Sequence, residues 1–439
     1  MRNIIQGDLA YNWHPCSQMK DFESFPPLVI KSAKGAYIAL EDGRTLLDAI
    51  SSWWCKSLGH GHPLLKRAIV DQLDAFEHVF FGHTTHEKIV QLSQKLAGLT
   101  AHLNRVFYAC DGSSAVEIAL KMSLHAHQIE GKTKRTQLMG LENAYHGETA
   151  LTMSVSDLGV YRKPYEAILQ GYPVLKGIPY VANQQDSLWS DCSAIWPAIE
   201  AQLAVHQETL SAIIVEPIVQ GAAGMRIYAQ DFLKRLRVWT QQNGVHLIAD
   251  EIMTGCYRTG PALASEHAKI EADFVCLGKG LTGGFLPLSA VLTSSAIYAL
   301  FYDDYEAGKS FLHSHTHSGN ALSVSVALAA MEVMEHLSKA GQFKALEKNL
   351  SQSFQDLAAE VQCLVQVRNI GGIAAATLVN PNQISRLGRR VAMAGVEVGV
   401  LLRPIGNELY WLPPLNLLPD EVIDLQNKTR QALQRASYI

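Results

Sequence analysis

One lysine of the chain stands where it could act as a nucleophile or a base. Lys279 follows the apolar run 273–278 (DFVCLG) and precedes a glycine-rich turn. This pattern predicts the carboxyl end of a buried strand, where open α/β sheets place their ligands. Desolvation there favours the neutral amine, which is the form that makes Schiff bases. Taken alone, a lysine in this position is more often a surface charge.

A carboxylate ends a second apolar run. Asp250 closes the segment 245–250 (VHLIAD). A buried carboxylate is costly unless it is paired. A protonated ring nitrogen is one fitting partner, since pyridoxal phosphate needs such an aspartate to remain an electron sink. A helix N-cap or a metal ligand is the alternative interpretation.

A helix start could bind an anion. Ser114 and Glu117 have the spacing of a capping box, with Gly112 and Ser113 just before it. Free backbone amides and the positive end of a helix dipole suit a phosphate. An ordinary helix start explains the same residues without a ligand.

The three features follow one another as a phosphate cradle, a pyridinium partner and a Schiff-base lysine. This order resembles the fold-type I pyridoxal-phosphate enzymes, and the segments 247–260 (LIADEIMTGCYRTG) and 277–284 (LGKGLTGG) are similar to the signature of the class III, or omega, aminotransferases. The resemblance implies pyridoxal phosphate as cofactor. It also implies that Lys279 carries the chemistry, and that Gly112, Ser113 and Asp250 bind the cofactor.

Other motifs resemble the diaminononanoate-synthase branch of that family. They are NWHP (12–15), ISSWW (50–54), YHGET (145–149), EPIVQGAAGMRIY (216–228) and LLRPIGNELYWLPP (401–414). The branch converts 8-amino-7-oxononanoate to 7,8-diaminononanoate in biotin biosynthesis, usually with S-adenosylmethionine as amino donor. The resemblance implies that Tyr145 stacks on the cofactor ring. It also implies a substrate wall that consists of Trp53, Trp54, Arg403 and Tyr410.

Four positions bear on the choice of branch. Ala222 replaces a glutamate that class III enzymes using glutamate carry, which counts against ornithine, acetylornithine and 4-aminobutyrate activities. Cys16 replaces a tyrosine at the substrate site, and a thiol lacks the reach of a phenol. Glu148 replaces an aspartate. Tyr257 is bulkier than the usual residue, and we expect it to fill part of the space beside Cys16.

The loop 313–320 (HSHTHSGN) matches the segment that completes the phosphate site from the neighbouring subunit in this class. The resemblance assigns Thr316 and His315 to the cofactor and Ser314 to the substrate, and it implies a homodimer with composite active sites. The alternating histidines could instead suggest a metal site. No carboxylate or cysteine cluster accompanies them, so we expect no metal.

The arrangement of apolar runs predicts the elements that position these residues. Six short β-branched runs alternate with helical patterns, which favours an α/β fold whose mostly parallel sheet is flanked by helices. The runs are 105–110, 136–141, 211–219, 245–251, 273–278 and 288–294. Helices are expected over 85–99, 232–244 and 319–337. A large domain over 60–335 and a small α+β domain built from 1–59 and 336–439 are expected, with a meander over 27–50.

Composition excludes several classes of protein. The 439 residues carry a formal net charge of −4 and 48% hydrophobic side chains, which argues against disorder and against nucleic-acid binding by bulk charge. Seven scattered cysteines without a C-x-x-C pair argue against a disulfide framework. No signal peptide or membrane span is expected, so the default compartment is the cytoplasm. P-loop and H-E-x-x-H motifs are absent from the sequence.

Three alternatives stay open at this stage. A diaminononanoate synthase that takes its amine from lysine keeps every residue named so far. Another class III aminotransferase or aminomutase keeps Lys279 and Asp250 but not the substrate wall. A non-enzymatic cofactor-binding protein is the most distant alternative, and retention of both Lys279 and Asp250 argues against it.

Overall fold

A seven-stranded sheet forms the centre of the molecule; the computed structural model describes residues 1–380 and 383–436. Four of its six strand pairs are parallel, while Ser289–Thr293 runs antiparallel to both neighbours. The strand order is Arg105–Ala109, Ser289–Thr293, Phe274–Leu277, His246–Asp250, Leu210–Val215, Gln137–Leu141 and Val174–Leu175. All six predicted runs therefore contain strands of one mostly parallel sheet.

The central strands are apolar because helices cover both faces of the sheet. Every residue of Leu210–Val215 and Phe274–Leu277 is buried. The α-helices are Arg2–Tyr11, Ser51–Trp54, Pro63–Leu73, Glu87–Ala97, Gly112–Ile129, Ala150–Ser154, Gly159–Arg162, Ser187–Ser190, Trp196–Ala204, Gln230–Gln242, Ser295–Phe301, Ala321–Lys339, Gln342–Val361, Leu387–Val398 and Pro419–Arg435. The fold class predicted from the sequence is confirmed.

The three predicted helices are present with shifted ends. Glu87–Ala97 buries Ile89, Leu92 and Leu96, which recur at helical spacing along one face. Gln230–Gln242 ends just before Gly244, whose φ of +59° is the left-handed conformation that follows many helices.

The two ends of the chain meet in a second sheet. The predicted meander over 27–50 is confirmed as the antiparallel strands Ile30–Lys34, Tyr37–Leu40 and Thr45–Asp48. Val400–Leu401 extends this sheet by pairing in parallel with Thr45–Asp48. Two further three-stranded sheets consist of Leu364–Ile370, Ile373–Leu378 and Glu408–Trp411, and of Tyr180–Val181, Arg226–Tyr228 and Val219–Gln220.

Among residues 1–380 and 383–436, one helix has the length and composition of a membrane span. Ala321–Lys339 has a mean hydropathy of 1.2 over its most apolar 18 residues, and half of that window is buried within the protein. It packs against the helices Pro63–Leu73 and Glu87–Ala97 and against the turn Lys279–Thr282. These contacts are those of a core helix, and they lie directly beside the lysine singled out above.

Candidate active site

Lys279 and Asp250 lie at the same edge of the main sheet. The strand His246–Asp250 pairs in parallel with Phe274–Leu277, and Asp250 is in register with Cys276. Lys279 follows two residues beyond the end of its strand and begins a short 3-10 turn. Its φ of +42° is a left-handed conformation that is strained for a lysine, as is common where backbone positions a reactive group.

The Lys279 amine faces an aromatic wall. Its Nζ lies 5.3 Å from the centre of the Trp54 ring. Desolvation lowers the pKa of the amine, while the negative charges of Asp250 and Glu216 oppose that shift. Because desolvation is the larger effect, the amine gives up its proton more easily here than in water.

Asp250 is buried and paired with a histidine. Its Oδ2 lies 2.7 Å from Nδ1 of His146, and its Oδ1 accepts a hydrogen bond of 3.2 Å from the Ile252 N–H. Both side chains of the pair are almost inaccessible. The other ring nitrogen of His146, Nε2, is buried without a hydrogen-bond partner among the described residues. The pair thus keeps a carboxylate at the strand end while it stays out of water.

Glu216 holds two loops of the site together. Its carboxylate accepts hydrogen bonds of 3.0 Å from the backbone N–H of Tyr145 and from that of Gly221. Burial raises its pKa to about 7; the charge of His146 lowers it and that of Asp250 raises it. The loop that carries Tyr145 and the loop that packs on Trp54 are therefore fixed by one side chain.

The helix start near Ser114 differs from the prediction. The helix begins at Gly112, and Asp111 is its N-cap, accepting from the Ser114 N–H at 2.9 Å. The predicted capping box was wrong, because Glu117 accepts from Thr149 instead and Asp111 offers a charged acceptor. Gly112 and Ser113 are thus the first two residues of the helix, where backbone N–H groups lack partners within it.

A glycine keeps this helix start open. Gly147 has a φ of +122°, and a Cβ added to it would lie 2.2 Å from the Oγ of Ser113. The Glu148 N–H donates to the same oxygen at 3.4 Å. Any larger residue at 147 would push into the space in front of the helix N-terminus.

Tyr145 lies against the side chains of Glu148 and Tyr161. Its hydroxyl donates to Oε1 of Glu148 at 2.9 Å, and its ring lies 5.3 Å from that of Tyr161. The Cys16 thiol lies 3.8 Å from the Tyr161 hydroxyl. The expectation that Tyr257 lies beside Cys16 was wrong, since Tyr257 is buried against Phe343. Tyr161 contacts Cys16 instead.

The predicted substrate wall is brought together from both ends of the chain. Trp54 donates from Nε1 to the Tyr410 hydroxyl at 3.0 Å, and the two rings meet edge to face. The Arg403 guanidinium lies 4.1 Å from the centre of the Trp53 ring. A cation over an indole face is a favourable contact that also fixes the direction of the arginine. Together they form an apolar wall with a positive end.

One buried carboxylate stabilises the strained backbone at the tandem tryptophans. Ser52 and Trp54 have φ values of +59° and +66°. Asp48 accepts from the Ser52 N–H at 2.7 Å and from the Ser52 hydroxyl at 3.2 Å. His60 lies 2.9 Å from the same carboxylate. These contacts offset the strain and orient the wall.

Cys16 and Arg403 line one surface cavity of about 420 Å³. Arg386 and Arg389 also line it, and Asp21 forms hydrogen bonds of 2.6 and 2.7 Å with Arg386. The cavity therefore carries more positive than negative charge, which suits an anionic group.

The loop with Ser314, His315 and Thr316 is not brought to Lys279 within the chain. The Thr316 carbonyl accepts from His78 at 2.9 Å, and His315 lies 3.2 Å from His313 between their Nε2 atoms. Across residues 1–380 and 383–436, these three residues make no hydrogen bond to Lys279, Asp250 or Ser113. In the same ranges, no group of three or more His, Cys, Asp or Glu side chains could hold a metal ion.

The residues present fit pyridoxal phosphate. The buried Asp250 can accept a hydrogen bond from a protonated ring nitrogen, and the helix N-terminus at Gly112 can accept a phosphate. Lys279 is desolvated, and the Nε2 of His146, which lacks a hydrogen-bond partner within the described part of the chain, marks a polar position in the same buried site.

Comparison with known proteins points to one class. The family model of class-III aminotransferases matches residues 19–433. Adenosylmethionine-8-amino-7-oxononanoate aminotransferases from Helicobacter pylori and Synechococcus elongatus are each 38% identical, covering 96% and 94% of this chain and 95% and 96% of their own lengths. The solved structure of the enzyme of that name from Methanocaldococcus jannaschii has a TM-score of 0.90 at 30% identity, with 99% of each chain covered. A PLP-bound amine transaminase from a Pseudomonas species gives 0.87 at 30% identity, over 97% of this chain and 98% of its own.

The fold and these relatives define a pyridoxal-phosphate-dependent aminotransferase of fold type I. More particularly, the chain belongs to the class-III aminotransferase family.

Three residues of the site escaped the sequence reasoning. His146 and Glu216 stand inside the motifs YHGET and EPIVQG, next to residues that were singled out. A buried charge in an apolar stretch was the available signal for Glu216. Tyr161 lies in no recognised motif, and only its contacts reveal it.

Proposed function

We propose that this aminotransferase converts 8-amino-7-oxononanoate to 7,8-diaminononanoate, with S-adenosylmethionine as amino donor, and so serves biotin synthesis. The observation that carries the proposal is the wall of Trp53, Trp54 and Tyr410 with Arg403 at one end. A long aliphatic chain with a terminal carboxylate matches an aromatic slot that ends in a guanidinium. The names of the relatives from H. pylori and S. elongatus support the same substrates.

Pyridoxal phosphate, when bound, supplies a carbonyl carbon that takes up amines and a ring that accepts electrons from a breaking C–H bond. The proposed work of Lys279 is to hold that carbon between turnovers and to move the proton through its Nζ. A neutral amine is required for both tasks, and desolvation favours it. The amino group of the donor would thus be transferred to the 7-keto carbon of the amino-oxononanoate, and the donor would leave as a 2-oxo acid.

Asp250 is the proposed partner of the ring nitrogen. Its Oδ2 is already paired with His146, so the carboxylate is oriented before any ligand arrives. Tyr145 is proposed to cover one face of the cofactor ring, with its hydroxyl held by Glu148 and its backbone held by Glu216. Gly112 and Ser113 are proposed to bind the phosphate through the free N–H groups of the helix start.

Ser314, His315 and Thr316 are proposed to act in the active site of a second copy of the chain. Their loop makes no hydrogen bond to Lys279, Asp250 or Ser113 of its own chain in the described ranges, and Ser314 and Thr316 are exposed. An exposed polar loop beside the sheet is available to a partner subunit. Thr316 and His315 would complete the phosphate site there, and Ser314 would contact the substrate. The proposed assembly is thus a homodimer with composite sites.

Two further parts of the proposal concern organisation. A large domain over 60–335 carries the cofactor, and a small domain consists of 1–59 with 336–439; the pairing of Thr45–Asp48 with Val400–Leu401 supports the joining of both ends. We place the enzyme in the cytoplasm, since all seven cysteines are free thiols, as a reducing compartment would keep them.

The direct test is product formation. The cofactor-loaded enzyme is incubated with 8-amino-7-oxononanoate and S-adenosylmethionine, and 7,8-diaminononanoate is measured by mass spectrometry. Lys279→Ala should give no product, while the exposed Lys344→Ala should turn over like the wild type. Absence of product from the wild type, or turnover by Lys279→Ala, contradicts the proposal.

A further inference from the structure

A second phenol, that of Tyr161, lies beside Tyr145 and is not explained by the roles proposed above. Tyr161 lies in the short helix Gly159–Arg162, and its ring is 5.3 Å from that of Tyr145. Arg162 donates to the Ser156 carbonyl at 2.6 Å, which connects this helix to the segment that precedes it in the chain. Tyr161 is partly buried, so packing restrains the side chain while part of the residue stays exposed.

The two phenols differ in what their protons can do. The Tyr145 hydroxyl donates to Glu148 and is thereby engaged. The Tyr161 hydroxyl instead accepts from the Cys16 thiol at 3.8 Å, a weak contact, and its own proton has no acceptor within residues 1–380 and 383–436. Tyr161 is therefore the phenol of this pair that can donate a hydrogen bond to a substrate.

The surroundings of Tyr161 keep its phenol protonated. Burial raises the pKa of its phenol to about 12, as does the contact with Cys16, while the positive charge of Arg403 lowers it. The phenol thus stays protonated at neutral pH and can act as a donor. A carboxylate is the group of an amino-acid substrate that such a hydrogen-bond donor suits.

The position beside Tyr145 decides which carboxylate this would be. In an α-amino acid the carboxylate is bonded to the carbon that reacts, so its binding group must stand close to the cofactor ring. The carboxylate of the amino-oxononanoate lies at the far end of a long chain and is already matched by Arg403. The product amine carries no carboxylate on its reacting carbon.

Resting on the proposed function, we propose that Tyr161 is a specificity-determining residue whose hydroxyl binds the α-carboxylate of the amino donor. Cys16 supports it as a small neighbour that leaves room for the phenol and contacts its oxygen. The site then distinguishes donors with a carboxylate on the reacting carbon from simple amines. It does so without the glutamate that Ala222 replaces.

The test compares two amines in single half-reactions of the cofactor-loaded enzyme. Tyr161→Phe removes only the hydroxyl. It should raise the apparent dissociation constant of S-adenosylmethionine about tenfold to a hundredfold, the loss expected for a hydrogen bond to a charged group. The constant of 7,8-diaminononanoate should change less than about twofold, because that amine has no α-carboxylate.

Controls separate this role from a structural one. Tyr165→Phe alters an exposed phenol in the adjoining turn and should change neither constant. Cys16→Ala should cost S-adenosylmethionine far less than Tyr161→Phe, since the donor hydroxyl remains. Pyridoxal phosphate affinity should be the same in all three variants. Equal losses for both amines, or no loss for S-adenosylmethionine, would overturn the role of Tyr161.

The proposal can fail separately from the function on which it rests. If the wild type reacts with neither compound, the proposed function fails. Tyr161→Phe is then compared on an α-amino acid and a simple amine that the enzyme does convert. The same tenfold difference between those two classes is required, and its absence overturns the proposal.

Discussion

Nδ1 of His146 lies 2.7 Å from Oδ2 of Asp250, while Nε2 of the same ring has no partner among the described residues. The pair links the loop of Tyr145 to the strand that ends at Asp250. It is the contact that gives a buried carboxylate at the sheet edge a fixed direction.

Removal of this histidine should weaken cofactor binding. In His146→Ala the Asp250 carboxylate loses its charge-assisted partner, a loss of about 1–3 kcal/mol for a buried group. We expect the dissociation constant of pyridoxal phosphate to rise about tenfold or more. Titration of the cofactor-free protein measures it. His336→Ala, at an exposed position of another helix, serves as control, and an unchanged constant in His146→Ala contradicts the role.

A methyl group at Gly147 should close the proposed phosphate site. The added Cβ would lie 2.2 Å from the Ser113 Oγ, and the φ of +122° is strained for alanine. We expect Gly147→Ala to destabilise the fold by about 1–3 kcal/mol and to reduce cofactor affinity. Chemical denaturation and cofactor titration provide the two measurements. Gly159→Ala meets no atom within 4 Å and is the matched control; similar behaviour of the two variants would refute the steric argument.

Truncation of Arg403 should separate the two substrates. Arg403→Ala removes the guanidinium that lies over Trp53. We expect the KM of the amino-oxononanoate to rise about tenfold to a hundredfold, and that of the donor to change much less. Arg403→Lys keeps the charge without the bidentate geometry and should fall between. Steady-state kinetics with each substrate varied decides the matter, and equal effects on both substrates speak against this assignment.

A buried histidine stacked on a second, partly buried one should make the protein sensitive to acid. The rings of His127 and His246 are 4.2 Å apart and nearly parallel. Burial lowers the pKa of His127 to about 3 from 6.5, assisted by the charges of His246 and Lys132. The unfolded chain therefore binds an extra proton between these values, so stability is lost as pH falls below about 6.5.

His127→Gln should remove that part of the pH dependence. The slope of the unfolding free energy between pH 6 and 4 should decrease by up to about 1.4 kcal/mol per pH unit, which is the value for one proton. Urea denaturation at several pH values gives the slope. His336→Gln, at an exposed site, should leave the slope as in the wild type. Parallel curves for wild type and His127→Gln would exclude this explanation.

The main sheet was predictable because its strands are buried on both faces. Runs such as 210–215 are buried at every position and apolar at all of them except Ser211, and that leaves a signal in the sequence. The adjacency of Lys279 and Asp250 followed from the same signal, since carboxyl ends of parallel strands share an edge. Exact helix starts were less predictable: Asp111, rather than Ser114, caps its helix, because its carboxylate accepts hydrogen bonds from both the N–H and the hydroxyl of Ser114.

Contacts between distant segments were beyond sequence reasoning. Cys16 and Tyr161 are 145 positions apart, and neither their residue types nor their separation in the sequence indicates the contact. Tyr257 was expected beside Cys16, yet it packs on Phe343 because the turn that carries it faces the helix Gln342–Val361. The hydrogen bonds that Glu216 accepts from two loops likewise depend on tertiary folding.

The most direct test of the central claim is a single half-reaction measured with one amine at a time. The cofactor-loaded enzyme is mixed separately with S-adenosylmethionine, lysine, ornithine or 4-aminobutyrate, and the absorbance of the bound pyridoxal form is followed. We predict that S-adenosylmethionine alone removes this absorbance. Conversion by lysine instead would show that lysine is the amino donor. The proposed acceptor and the residues that bind it would be unaffected by that result. Conversion by ornithine or 4-aminobutyrate would contradict the roles given to Trp53, Trp54 and Ala222, and with them the proposed function.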